Sequence, residues 1–154
     1  YEIIKKIINL EKLYNKIIIA DPKKDDFKYY KGVNIITPNL KEFLFALNLH
    51  QPNENTLIQA AKKACKEFDI KEILLTRSEK GMSLISHKHH QNYKAMSKEI
   101  FDVTGAGDTV IALVSLFKGI GLDSKTAVMI SNIAAGIVVG KSGASVTDIL
   151  ELSL

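Results

Sequence analysis

Residues 33–49, "VNIITPNLKEFLFALNL", decide how the rest of the chain is read. A short β-branched run from Val33 stops at Pro38, which has no N–H to give to a strand ladder. From Leu40 the pattern turns helical. A buried strand passed to a helix through a short loop is the building unit of a parallel α/β sheet.

The same unit recurs on either side. Upstream, residues 2–14 place Ile3, Ile4, Ile7, Ile8 and Leu10 at helical spacing with lysines between them. "KIIIADP" (16–22) then reads as a buried strand with an Asp-Pro exit turn. Downstream, "NENTLIQAAKKACKEF" (53–68) is an amphipathic helix with capping residues at its start. "KEILLTRS" (71–78) is a third buried strand, and "GMSLIS" (81–86) with "HQNYKAM" (90–96) reads as a hairpin. Helices are expected over 107–118 and 124–139, then a Gly/Ser loop "GKSGAS" (140–145) and a last helix from "VTDILEL" (146–152). Alternating helices and buried strands predict an α/β fold with a largely parallel sheet. Ligands of such folds bind beyond the carboxyl ends of the strands. "ADPK", "TPNLKE", "TRSEKG" and "DVTGAGD" all follow strands, which predicts four loops on one rim.

Composition narrows the function classes. The chain has 154 residues, enough for one domain with a real core but not for two ordinary ones. Its net charge of +4 comes from scattered lysines, a solvated surface rather than a nucleic-acid groove. No stretch has the length of a membrane span and no signal peptide is visible, so no membrane partner is expected and a cytoplasmic location is the default. The single cysteine, Cys65, lies on a helix's apolar stripe and is expected to be a buried structural thiol. His87, His89 and His90 lie on the hairpin without carboxylate or cysteine partners and are expected to be solvated. The chain opens on Tyr1 and runs straight into a helix and a strand, which gives the expectation of a segment from inside a larger domain.

Chemistry enters with "FDVTGAGDTV" (101–110). Gly105, Ala106 and Gly107 let the backbone aim successive N–H groups at one point, and the following helix adds its unpaired N–H groups and positive dipole end. Asp108, in the first turn, can accept a proton from an attacking hydroxyl. The dinucleotide fingerprint fails at Val110, and a P-loop fails at Asp108. Alone, such a glycine-rich helix start is structural more often than catalytic. Asn39 and Glu42 stand at i and i+3 of a helix start, which favours a capping box; the same side chains can also face Mg²⁺ through water. Thr76, Ser78 and Gly81 offer two hydroxyls and a tight turn after a strand, in isolation a plain β-turn.

In this order and at these separations, "TPNLKE", "TRSEKGM" and "DVTGAGDTVIA" resemble the C-terminal half of ribokinase-like (PfkB family) carbohydrate kinases, nearly over the whole chain. The resemblance implies a three-layer α/β sandwich of which residues 1–154 form the C-terminal, nucleotide-binding part. It implies Asp108 as catalytic base, Gly105, Ala106 and Gly107 as the anion hole, and Asn39 and Glu42 as organisers of Mg²⁺. Thr76, Ser78 and Gly81 would line the phosphates of ATP. Asn132, with Lys141 and Gly143 in the loop 141–145, would border the adenine. Asp102 and Ser145 fall near a monovalent-cation (K⁺) site of some members.

Within the family, "DPKKDDFKYYKGVNIITPNLKEF" and "SNIAAGIVVGKSGAS" are most similar to the branch acting on heptose 7-phosphate. That implies transfer to the anomeric C1 hydroxyl of D-glycero-β-D-manno-heptose 7-phosphate, giving the 1,7-bisphosphate for lipopolysaccharide core assembly. It also implies partners outside this chain: the N-terminal half with the sugar pocket, a nucleotidyltransferase domain often fused downstream, and, in relatives, a second subunit in a homodimer. A kinase for another sugar phosphate or a nucleoside, and a non-catalytic nucleotide-binding fragment, stay open. Two positions depart from the common pattern: Leu113, where many members are small, and Ser78, where many have glycine.

Overall fold

The computed structural model describes residues 2–23, 26–96 and 105–141, without the side chains of residues 11 and 12. The elements run α1 (Glu2–Tyr14), β1 (Ile19–Ala20), β2 (Ile35–Ile36), α2 (Leu40–Ala46), α3 (Glu54–Glu67), β3 (Glu72–Thr76), β4 (Met82–Ile85), β5 (His90–Tyr93), α4 (Ala106–Gly119) and α5 (Ser124–Val139). The strands form one sheet in the order β1-β2-β3-β4-β5. β1 pairs with β2 and β2 with β3, both in parallel. The α/β expectation holds, and α4 opens at Ala106, one residue before the expected start. The expected helix over 146–152 lies outside the described residues.

Backbone packing divides the chain into two units, Tyr1–Thr76 with Ser83–Gln91, and Arg77–Met82 with Asn92–Leu154. The first has its own core, in which Phe27, Ile36, Phe43, Ala61, Ile73, Leu75 and Ile85 are all but fully buried. Phe27 packs at a tilt on Phe43 and edge-on against Phe68. Such aromatic pairs add about 0.5–1.5 kcal/mol beyond burial alone. α3 buries Leu57, Ile58, Ala61, Ala64 and Cys65, the stripe its sequence advertises, and Asn53 caps it by accepting from the Thr56 N–H at 2.9 Å. Burial pushes the Cys65 thiol up to about 12, with the Glu72 carboxylate adding to the shift, so this thiol is structural.

Asn34 looks misplaced in a buried run, yet its Oδ1 accepts from the Ile18 N–H at 2.6 Å and so ties β2 to the start of β1. In the second unit α4 packs on α5; α4 buries Val110 and Val114, and α5 buries mostly small residues, among them Ala127, Ser131, Ala134 and Ala135. Asp123 caps α5, its Oδ1 accepting from the N–H groups of Lys125 at 2.9 Å and Thr126 at 3.1 Å. Hydrogen bonds to Thr126 and Lys125 hold the Asp123 carboxyl below its usual range. Among the described residues no helix is long and apolar enough to cross a membrane.

Candidate functional site

Because β1, β2 and β3 run parallel, the segments after them emerge on one rim of the first unit. Thr76 ends β3, donates its N–H to the Pro38 carbonyl at 3.0 Å and bridges in parallel to Asn39. The first rim loop thus holds Asp21 and Lys23, the second Asn39 and Glu42, and the third begins at Thr76.

The Asn39–Glu42 pair forms the capping box its spacing predicted. Asn39 Oδ1 accepts from the Glu42 N–H at 2.9 Å, and Glu42 Oε2 accepts from the Asn39 N–H at 2.8 Å. This satisfies two of the orphan donors at the start of α2. It also fixes where the carboxylate points and leaves Glu42 Oε1 outside the cap. Lys23 reaches into that space, its ammonium 2.7 Å from Asp21 Oδ2 and 3.8 Å from Glu42 Oε1. At 72% exposure for the lysine side chain this ion pair is worth at most about 1 kcal/mol, so it sets charge at the rim rather than stability.

Sequence reasoning placed "ADPK" on the rim but gave its residues no role. The signal was the loop's position after a strand; the meeting with Glu42 follows only from the parallel register.

In the second unit, Gly105 has φ +80° and caps α4 without any side-chain bond. Thr109 makes the first helical bond, its N–H donating to the Gly105 carbonyl at 2.9 Å, and its hydroxyl donates to the same oxygen at 2.9 Å. The N–H groups of Ala106, Gly107 and Asp108 therefore have no acceptor within the helix. Gly107 and Asp108 are exposed. A Cβ added at Gly105 or Gly107 would meet nothing within 4 Å. Gly105 is thus demanded by its left-handed backbone, whereas nothing described demands glycine at Gly107. The arrangement offers an open fan of donors at a helix N-terminus with a carboxylate beside it.

The turn 78–81 of the same unit closes with a β-turn bond and carries a further bond across it. Arg77 N–H donates to the Gly81 carbonyl at 2.8 Å and Gly81 N–H to the Ser78 carbonyl at 2.9 Å. Ser78 has φ +51°, a left-handed conformation in which glycine would be at ease. Gly81 has φ +78°, and a Cβ there would be driven into the Tyr93 carbonyl and the Ala95 amide. Glycine at 81 is therefore explained by its backbone conformation and by close packing.

Asn132 is 6% exposed, and its Nδ2 donates to the Lys94 carbonyl at 2.7 Å, tying α5 to the chain after β5. Lys141 follows α5, its N–H donating to the Val138 carbonyl at 3.1 Å. Asp102, Gly143 and Ser145 lie outside the described residues. His87, His89 and His90 are exposed, as expected, and no group of three or more His, Cys, Asp or Glu suited to a metal occurs among the described residues.

The profile described as "pfkB family carbohydrate kinase" matches residues 2–150. The chain is 38% identical over 151 residues to "Bifunctional protein HldE" of Blochmanniella floridana, a match taking in 97% of this chain and 31% of the relative. It is 43% identical over 136 residues to the protein of the same name from Hahella chejuensis, covering 88% of this chain and 28% of the relative. Among solved structures, Arabidopsis thaliana ribokinase complexed with ribose and ATP superposes with a TM-score of 0.86 at 21% identity, over 99% of this chain and 52% of that one. Escherichia coli phosphofructokinase-2 in complex with potassium superposes at 0.85 with 13% identity, over 97% and 49% of the two chains. These likenesses make the fold ribokinase-like. The chain spans under a third of the length of the curated relatives it matches.

Proposed function

Since the chain belongs to the pfkB family of carbohydrate kinases, we propose that residues 1–154 supply the C-terminal, nucleotide-binding part of a domain that moves the γ-phosphoryl group of ATP to a sugar phosphate. The observation that carries this reading is the first turn of α4, where three N–H groups without helical acceptors stand beside the exposed Asp108. A fan of that kind suits a phosphoryl group gathering charge on its equatorial oxygens. Asp108 takes the proton of the attacking hydroxyl as that oxygen bonds to phosphorus and the bridging oxygen leaves with ADP.

Mg²⁺ fits the rim as a hydrated ion. Glu42 and Asn39 are hard oxygen donors already oriented by the capping box, and Glu42 Oε1 is left outside it. Two such groups suit an ion that keeps most of its waters and falls short of an all-protein cage. When bound, Mg²⁺ neutralises charge on the transferring phosphates. The hydroxyls of Thr76 and Ser78 serve the phosphates, and Asn132, Lys141 and Gly143 border the base. K⁺ at Asp102 and Ser145 is carried over from the resemblance, E. coli phosphofructokinase-2 having been solved with potassium.

The acceptor we propose is D-glycero-β-D-manno-heptose 7-phosphate, phosphorylated at the anomeric hydroxyl. Its support is the match of the phrases around Asn39 and Asn132 to that branch, together with relatives at 38% and 43% identity that share one name. The test of the base is Asp108→Asn in this chain completed by the rest of a kinase domain. Turnover is expected to fall by at least about a hundredfold while ATP still binds. Turnover near that of the parent would remove Asp108 from the mechanism.

A further inference from the structure

We infer that Lys23 is a resident counterion at the rim, a positioning residue that disfavours a divalent ion arriving alone and favours one arriving on a nucleotide. The inference rests on the reading of Asn39 and Glu42 as the groups that face Mg²⁺. It begins with how the loop after β1 is held. Pro22 is buried, and Lys23 next to it donates its N–H to the Tyr30 hydroxyl at 3.0 Å. Tyr30 closes the short helical turn Phe27–Tyr30 and belongs to the core of the first unit, where it is 5% exposed. The backbone of Lys23 is therefore tied to the core, although its side chain stands in water. The ammonium reaches out from a fixed point.

It meets two carboxylates that come from different loops. Its Nζ lies 2.7 Å from Asp21 Oδ2 and 3.8 Å from Glu42 Oε1. The shorter contact is a hydrogen bond, and the longer one is coulombic attraction alone. Glu42 is not free to turn away, because its Oε2 accepts from the Asn39 N–H in the capping box. The Asp21 and Glu42 side chains are 32% and 31% exposed, so both carboxylates are partly shielded from water where they border the ammonium. Hard anionic oxygens around one point are also what a divalent cation seeks. Lys23 and the metal thus compete for Glu42 Oε1. A metal ion arriving alone has to displace a charge already in place. A metal ion carried on a polyphosphate brings anionic oxygens that accept the ammonium as a point charge.

The test uses this chain completed by the rest of a kinase domain, with Mn²⁺ as the probe. Unbound Mn²⁺ is counted by electron paramagnetic resonance without nucleotide, and the affinity for Mn·ATP is measured by calorimetry without sugar. Lys23→Met keeps the apolar stem and removes the charge. It should bind Mn²⁺ alone roughly threefold to fivefold more tightly, and Mn·ATP more weakly by a similar factor. A merely structural role for Lys23 would weaken both or neither. Lys28→Met removes an equal charge, paired with Asp26 at 2.6 Å, and should leave both affinities within about twofold of the parent. Glu42→Gln keeps the capping acceptor and should lose most of the Mn²⁺ binding.

Anything other than opposite shifts in Lys23→Met overturns the inference. Equal shifts in Lys28→Met overturn it too, since net charge rather than position would be the cause. If Glu42→Gln still loses Mn²⁺, either result leaves the metal reading of the rim intact. Mn²⁺ binding unchanged in Glu42→Gln counts against that reading and removes the inference with it. Opposite shifts in a protein that turns over no ATP with any sugar phosphate leave the role of Lys23 standing and count against the proposed function alone.

Discussion

Replacing Gly105 and Gly107 separately by alanine splits two reasons for a glycine that sequence alone cannot separate. Neither new methyl group meets an atom within 4 Å, so packing contributes nothing to either change. At Gly105, φ is +80°, and an alanine held left-handed costs about 1–2 kcal/mol, offset by about 0.5 kcal/mol from a stiffer unfolded chain. The net expectation is a loss of about 1 kcal/mol. Gly107 lies inside the first turn of α4 with helical backbone, and alanine there gains about 0.5–1 kcal/mol.

The two variants should therefore differ by up to about 2 kcal/mol, or roughly 4–8 °C in melting temperature for a chain of this size. Differential scanning calorimetry on the chain reads this directly. In the completed domain, the proposed anion hole predicts a loss of about a hundredfold in turnover for both, because a methyl group at either position would then stand where the phosphoryl oxygens approach the helix amides. A Gly107→Ala variant more stable and fully active would refute the anion-hole reasoning. A Gly105→Ala variant as stable as the parent would refute the left-handed cap.

Other substitutions test the rest of the site. Asn39→Ala removes the acceptor of the Glu42 N–H and should cost about 1 kcal/mol in a denaturant titration, whereas Asn39→Asp keeps the cap and should stay within about 0.5 kcal/mol of the parent. Equal losses in the two variants would show that the cap is not the source. Ser78→Gly relieves a left-handed serine and should stabilise the chain by about 0.5–1 kcal/mol, read as a rise in melting temperature; a fall would mean that the turn holds serine for another reason.

Much of the fold was legible because its signals are local. The proline-stopped runs before Asp21 and Asn39 and the stripe of α3 each need only a few neighbouring residues. What was not legible depends on distant partners. Periodicity marks Ile3, Ile4, Ile7 and Ile8 as apolar on a helix, but only packing tells that Ile8 is buried while Ile3 and Ile7 face out. The reason for Gly81 lies at Tyr93 and Ala95, across a hairpin. Lys23 meets Glu42 because parallel register brings two loops together, and no spacing along the chain encodes that distance. In the candidate site, the capping reading of Asn39 and Glu42 and the helix start at the glycines were visible beforehand. The engagement of the Asn132 amide by Lys94 was not, since it joins residues far apart in sequence.

The most direct test of the central claim is ADP release from Mg·ATP by this chain joined to the remaining part of a kinase domain. D-glycero-β-D-manno-heptose 7-phosphate would be offered beside ribose, fructose 1-phosphate and adenosine. The account predicts strong turnover with the heptose phosphate and little with the others. Preference for another acceptor would contradict the substrate and leave the chemistry, while silence across the panel from a folded protein would contradict the kinase itself.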